Sequence, residues 1–173
     1  MLELYLGGAR SGKSRLAEQR ICSAAGDVQR IYIATARAGD EEMTARIAHH
    51  QHQRRDDGWQ TVEAPEELAA AISGSASANT AILVDCLTLW LSNWLMKDDL
   101  ASWHGVRDEF YRVLQQAEGH IVLVSNEVGQ GIVPLGALSR HFVDESGRLH
   151  QDLAAMADRV VLVTAGLEQV LKG

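Results

Sequence analysis

Leu2-Glu3-Leu4-Tyr5-Leu6-Gly7-Gly8-Ala9-Arg10-Ser11-Gly12-Lys13-Ser14 decides how this chain is read. Gly7 to Ser14 fits G-x-x-x-x-G-K-[ST], the phosphate-binding loop pattern. Leu2 to Leu6 reads as a strand. Arg15 to Ala25 reads as a helix, with Leu16, Gln19, Arg20 and Ala24 at helical spacing. Strand, glycine loop and helix together supply a mechanism. The glycines let the backbone curl so that its N–H groups face phosphate oxygens, and the helix N-terminus adds partial positive charge. Lys13 is placed to reach the β- and γ-phosphates, and the Ser14 hydroxyl to ligate Mg²⁺. The plainer alternative is a glycine turn before an ordinary helix; the complete motif in its proper context argues against it. The chain is therefore expected to bind a nucleoside triphosphate.

Outward from this loop, strand-like and helical runs alternate. Arg30 to Thr35 is rich in β-formers. Asp40 to Arg54 has helical spacing, with Met43, Ile47 and His50 on one stripe. Trp59 to Glu63 alternates as a short strand. Pro65 suits the first turn of a following helix, with two acids behind it. Thr80 to Asp85 is an apolar run ending in a carboxylate, which suits a strand buried on both faces. Leu87 to Leu95 and Ser102 to Ala117 read as helices, His120 to Ser125 as a buried strand. Leu135 to Ala157 reads as a helix with a break near Phe142. Arg159 to Thr164 is a further strand, and Glu168 to Leu171 a short edge strand turning back. Gly74 to Asn79 reads as a flexible connection. The pattern predicts an α/β fold, a mainly parallel sheet with helices on both faces. Ligands of such sheets bind at the carboxyl ends of the strands.

Composition sets limits. At 173 residues the chain is expected to form a single domain, residues 1–173. A net charge of −7 argues against broad nucleic-acid binding, which needs a basic footprint. The two cysteines, Cys22 and Cys86, form no C-x-x-C pair, so neither a zinc knuckle nor a disulfide framework is signalled. No export signal and no membrane span are expected, and a reduced, cytoplasmic compartment is the simplest reading.

Three further features carry chemistry. Asp85, ending a buried strand, is placed like an acid that holds Mg²⁺; capping the Leu87 helix is the alternative. Arg46-Ile47-Ala48-His49-His50-Gln51-His52-Gln53-Arg54-Arg55 holds three histidines within four positions, followed by two arginines. It fits a solvated basic helix end. It also fits phosphate chemistry, because arginines bind phosphate bidentately and an imidazole can attack phosphorus. A zinc site has no supporting Cys or H-E-x-x-H pattern. Asn126-Glu127-Val128-Gly129-Gln130-Gly131-Ile132-Val133-Pro134 reads as a shaped loop whose first two residues orient substrate or metal, or cap a helix. Trp90 and Trp94, four apart, share a helix face, with packing as the default reading.

These pieces together resemble the bifunctional adenosylcobinamide kinase / adenosylcobinamide-phosphate guanylyltransferase family of cobalamin biosynthesis. The resemblance runs nearly end to end. It rests on the loop Gly7–Ser14, Tyr32-Ile33-Ala34-Thr35, Arg46-Ile47-Ala48-His49-His50, Val84-Asp85-Cys86-Leu87-Thr88 and Asn126 to Pro134. It implies a P-loop domain of the RecA type and a homotrimer. It also implies two reactions. ATP or GTP phosphorylates the hydroxyl of adenosylcobinamide, a corrinoid. GTP then transfers GMP through a covalent histidine adduct to the phosphorylated corrinoid, giving adenosylcobinamide-GDP and pyrophosphate. By resemblance His50 is the guanylylated histidine, with His49 beside it. Nucleotide contacts map onto Gly7, Gly8, Ala9, Arg10, Ser11, Gly12, Lys13, Ser14, Thr35, Ala36, Arg37, Gln51, His52, Gln53, Arg54, Glu63 and Asp85. A P-loop kinase of another small alcohol or nucleoside is the alternative, one that leaves His50 without a role. A GTPase-like switch lacks N-K-x-D, and its single D-x-x-G, Asp144 to Gly147, falls in a helical stretch.

Overall fold

A computed structural model describes residues 1–24, 28–37, 58–97 and 99–173. In chain order the elements are β1 (Leu2–Gly7), α1 (Lys13–Ala24), β2 (Gln29–Ala34), β3 (Trp59–Glu63), α2 (Leu68–Ser75), β4 (Thr80–Asp85), α3 (Leu87–Leu95), α4 (Leu100–Gln116), β5 (His120–Asn126), α5 (Ala137–Met156), β6 (Arg159–Thr164) and β7 (Leu167–Lys172). The seven strands form one sheet in the order β3-β2-β4-β5-β1-β6-β7. Every neighbouring pair is parallel except β6 and β7, which close the edge as an antiparallel pair. This is the expected α/β architecture, with the P-loop strand β1 near the middle and the antiparallel strand at the C-terminal edge.

The strand period of two separates two cores. Leu4, Leu6, Ile31, Ile33, Ile82, Val84, Ile121 and Leu123 face α2 to α5 and meet Leu68, Trp90, Phe110 and Leu153. Tyr5, Tyr32, Leu83, Val122, Val124 and Val161 face the other way, onto Ala17 and Ile21 of α1. The central strands are buried on both faces, which is why their sequences read as unbroken apolar runs. Trp90 stacks edge-on against Trp103, with ring centroids 5.1 Å apart. The indole N–H groups of Trp90 and Trp94 both donate to the Glu66 carbonyl, at 2.9 and 3.3 Å. The tryptophans therefore belong to the packing, as the default reading had it.

Three local expectations are corrected. The helix over Ala137–Met156 runs without a break at Phe142; Leu149, Leu153 and the buried Glu145 keep one continuous stripe against the sheet. Pro65 precedes α2 instead of opening it, because the helix starts only at Leu68. Its carbonyl is taken by the Asn93 side-chain amide, which fixes the entry to the helix. The connection at Gly74 is partly helical: α2 continues through Ser75, and Thr80 Oγ1 then bonds both the N–H and the carbonyl of Ser77. The expected helix over Asp40 to Arg54 lies outside the described residues.

Candidate active site

Strand β1 ends at Gly7, and the chain must turn there within a crowded space. A Cβ on Gly7 would lie 2.5 Å from the Val163 carbonyl oxygen and 2.6 Å from Ser11 Oγ. Gly12 has φ +97°, a backbone conformation that suits glycine. Between them the loop curls, with the Ser11 N–H on the Gly8 carbonyl and the Leu16 N–H on the Gly12 carbonyl. Lys13 is the first residue of α1, so its side chain leaves from the helix N-terminus. It is buried, and its Nζ donates to the Gly8 carbonyl at 3.2 Å, folded back over the loop. Ser14 follows on the same turn. Ser11 Oγ is buried and has no hydrogen-bond partner among the described residues. A buried hydroxyl without a partner is costly, and a loop that carries one gains when an acceptor arrives.

Asp85 ends β4, with β5 lying between it and the P-loop strand. Its carboxylate accepts a hydrogen bond from the Tyr32 hydroxyl at 2.9 Å. The capping alternative is not realised: Cys86 occupies the N-cap of α3, which has no side-chain cap bond. The peptide bond between Asp85 and Cys86 is cis. Burial, and next the Asp85 charge, push the Cys86 thiol above its ordinary range, and the side chain packs in the core on the α1 side of the sheet.

Thr35 follows β2 and is buried. Its Oγ1 accepts from the Cys86 N–H at 2.9 Å and donates to the Cys86 carbonyl at 2.7 Å. That double bond ties the ends of β2 and β4 together and commits the hydroxyl to the scaffold. Ala36 follows at the same edge. Arg37 is exposed and pairs with Glu66, which also pairs with Lys97. Glu63 is the exposed last residue of β3, at the far end of the sheet from β1. The structure thus brings the P-loop, Thr35, Ala36, Arg37, Glu63 and Asp85 to one edge of the sheet. The remaining predicted residues, His50, Gln51, His52, Gln53 and Arg54, lie outside the described residues, as does the zinc alternative.

Sequence reasoning left the roles of Asn126 and Glu127 open between substrate and helix capping. The next helix begins ten residues further on, so neither caps it. The Glu127 N–H donates to the Gly7 carbonyl at 3.0 Å, which pins the start of this loop beside the P-loop. Asn126 Oδ1 is buried without a partner among the described residues. His150 of α5 was not singled out at all. It is buried beneath this loop, with Nε2 2.7 Å from Ser125 Oγ and Nδ1 3.8 Å from Glu127 Oε2. Burial, which outweighs the attraction of Glu127, holds its imidazole below the ordinary histidine range and so neutral near pH 7.

A family model described as "Cobinamide kinase / cobinamide phosphate guanyltransferase" matches residues 3–171. The "Bifunctional adenosylcobalamin biosynthesis protein CobP" of Pseudomonas aeruginosa is 52% identical over 173 residues, covering 100% of this chain and 98% of that protein. The "Bifunctional adenosylcobalamin biosynthesis protein CobU" of Salmonella typhimurium and that of Escherichia coli are each 40% identical over 185 residues, covering 99% of this chain and all of theirs.

Proposed function

The chain belongs to the cobinamide kinase / cobinamide phosphate guanyltransferase family, and from that premise we propose that it runs both reactions at one nucleotide site on the carboxyl edge of its sheet. The observation that carries this reading is the formed phosphate cradle, Gly7 to Ser14, with a buried Lys13 and a Ser11 hydroxyl that has no partner among the described residues. In the kinase half, the loop amides and Lys13 hold the triphosphate of ATP or GTP. The hydroxyl oxygen of adenosylcobinamide bonds to the γ-phosphorus, the bond to the β–γ bridging oxygen breaks, and the nucleoside diphosphate leaves.

In the second half, an imidazole nitrogen of His50 bonds to the α-phosphorus of GTP and pyrophosphate leaves. A phosphate oxygen of the phosphorylated corrinoid then displaces His50 and takes the GMP. Splitting the transfer into two displacements gives each a good leaving group. His50, Gln51, His52, Gln53 and Arg54 enter from sequence alone. Thr35, Ala36, Arg37 and Glu63 are assigned to the nucleotide by resemblance and by their place on the same edge; the Thr35 hydroxyl, N–H and carbonyl are all engaged within the scaffold, so Thr35 would shape this edge.

The Asp85 carboxylate and Ser14 hydroxyl are hard oxygen donors of the kind Mg²⁺ takes, and Asp85 has only the Tyr32 hydroxyl as a described hydrogen-bond partner. Bound with the triphosphate, Mg²⁺ would neutralise phosphate charge. Among the described residues no helix is long and apolar enough to cross a membrane. A homotrimer is the assembly the resemblance implies, and a reduced cytoplasmic compartment the one cysteine usage suggests; the exposed Ile132, Val133, Leu135 and Leu138 supply apolar surface for a second copy or for the corrinoid.

The test is turnover. Purified protein incubated with adenosylcobinamide and ATP or GTP is expected to give the phosphate, and with further GTP the GDP derivative and pyrophosphate, separated by chromatography. Phosphorylation of another alcohol with no action on cobinamide would favour the simple kinase reading instead.

A further inference from the structure

The two half-reactions differ in what they ask of a proton. In guanylyl transfer the attacking atoms, an unprotonated imidazole nitrogen and an anionic phosphate oxygen, have no proton to lose. In the kinase half the attacking group is an alcohol, whose proton must leave as its oxygen bonds to phosphorus. The proposed function names no residue to receive it.

Strands β5 and β6 flank the P-loop strand. At their carboxyl ends β6 runs out through Val163 and Thr164, and β5 through Asn126 into Glu127. Glu127 is thus the carboxylate next to the loop on a flanking strand, tied to Gly7 through its own N–H. Asp85 lies one strand further off and is already paired with Tyr32. Glu63 lies four strands from β1. The Glu127 side chain is half-buried and held: Oε1 accepts from the Gly129 N–H at 2.6 Å, and Oε2 faces His150.

A buried chain of polar groups stands behind it. The Asn126 N–H donates to Thr88 Oγ1 at 2.7 Å, Thr88 Oγ1 lies 3.3 Å from Ser125 Oγ, and Ser125 Oγ lies 2.7 Å from His150 Nε2. One direction satisfies every member. Thr88 donates to Ser125, Ser125 donates to the Nε2 of a neutral imidazole, and the ring proton sits on Nδ1, facing the carboxylate. Ser125 is fully buried and His150 nearly so, which fixes the ring against rotation.

We propose that Glu127 accepts the proton of the corrinoid hydroxyl in the kinase half-reaction, and that Thr88, Ser125 and His150 position its carboxylate for this. The O–H proton passes to a Glu127 oxygen as the alkoxy oxygen bonds to the γ-phosphorus and the β–γ bridging oxygen leaves with the diphosphate. The proton returns to solvent afterwards. Glu127 touches substrate and is a catalytic residue; His150 acts through it and is a positioning residue. The inference rests on the two-step reading above, and it divides the site: His50 serves only guanylyl transfer, Glu127 only phosphorylation.

The experiment measures both halves on the full chain. Glu127→Gln is expected to lower kcat for adenosylcobinamide phosphorylation by about 100-fold or more with little change in KM. The same preparation should still take GMP from α-labelled GTP and pass it to phosphorylated cobinamide supplied ready-made, within about twofold of the parent rate. That retained half also shows the variant is folded. His150→Leu is expected to lower kinase kcat by about 10-fold, and His150→Gln, which can still bond Ser125, to recover most of it. A Glu127→Gln protein with full kinase kcat overturns the proposal. So does one that loses both halves in parallel, which would make Glu127 a structural or nucleotide-binding group. Failure of the parent protein to phosphorylate cobinamide would instead sink the underlying reading.

Discussion

The two edges of the sheet use the same kinds of residue to opposite ends. At the amino edge Glu3 is fully buried and ringed by basic side chains from three elements, although Arg159 Nε there is itself buried without a hydrogen bond among the described residues. Arg20 Nε donates to it at 3.0 and 3.2 Å, His120 Nε2 lies at 2.9 Å, and Arg159 Nε at 3.8 Å. Nearby the chain terminus donates to the Gly119 carbonyl and the Leu2 N–H to Asp158. Among the described residues at the carboxyl edge, the Lys13 ammonium has only a backbone carbonyl, the Asp85 carboxylate only a tyrosine hydroxyl, and Ser11 Oγ and Asn126 Oδ1 no partner. A buried charge enclosed by fixed partners holds the fold. Polar groups left short of partners around a glycine loop are built for something that binds.

That contrast can be broken by exchanging which edge is damaged. The largest expected effect is on activity at the carboxyl edge. Lys13→Ala should lower both half-reactions by about 100-fold or more, with an unfolding midpoint close to the parent's, since Lys13 makes one bond to the loop. A variant that lost only one half would separate the two nucleotide uses in space.

Damage at the amino edge should do the reverse. Glu3→Ala leaves Arg20, His120 and Arg159 facing an emptied, buried site, at a cost of about 3 kcal/mol in urea unfolding. Its kcat for both halves at 20 °C (about room temperature) should stay within about twofold of the parent's, because Glu3 sits a strand's length from the loop. A catalytic defect without a stability defect would refute the division.

The smallest effect separates the edges by pH. Burial pushes the Glu3 carboxyl up, but the hydrogen bonds from His120 and Arg20 and the Arg20 charge outweigh it, so its folded value lies below the ordinary glutamate value of 4.5. Its contribution is present above that value and is lost as pH falls from 4.5 through the folded value. His150 is also lowered in the folded state, from 6.5, with burial outweighing the Glu127 charge. Between those limits the unfolded chain binds the extra proton, so stability falls as pH drops below 6.5. Urea midpoints against pH should therefore decline in two windows. Glu3→Gln should flatten the lower one and His150→Gln the upper one. A parent curve flat from pH 7 to 5 would contradict the buried, neutral imidazole.

Much of this was legible in the chain because it depends on local pattern. Trp59–Glu63, Thr80–Asp85, Leu87–Leu95 and Arg159–Thr164 stand as strands and helix with the bounds their local patterns suggest, since alternation, an unbroken apolar run and helical spacing are each set within a few residues. The P-loop was legible for a similar reason: its glycines answer steric demands made within a few residues. The misreadings arose where distant contacts decide. The break expected near Phe142 does not occur, because the helix is held further on through Glu145, whose Oε2 accepts from the Trp103 indole at 2.7 Å across to α4. The enclosure of Glu3 could not be foreseen, because its partners sit 17, 117 and 156 positions away in the chain. His150 gave no signal either. One histidine inside a helix is ordinary until the fold lays it under Ser125.

The central claim is a single nucleotide site with two uses, and GTP labelled at the α-phosphate tests it most directly. The parent protein should acquire an acid-labile label and lose it to phosphorylated cobinamide. Lys13→Ala should show almost none. His50→Ala should show none while still phosphorylating cobinamide. A label that persists in His50→Ala, or a parent protein that never takes one while turning over GTP, would contradict the account.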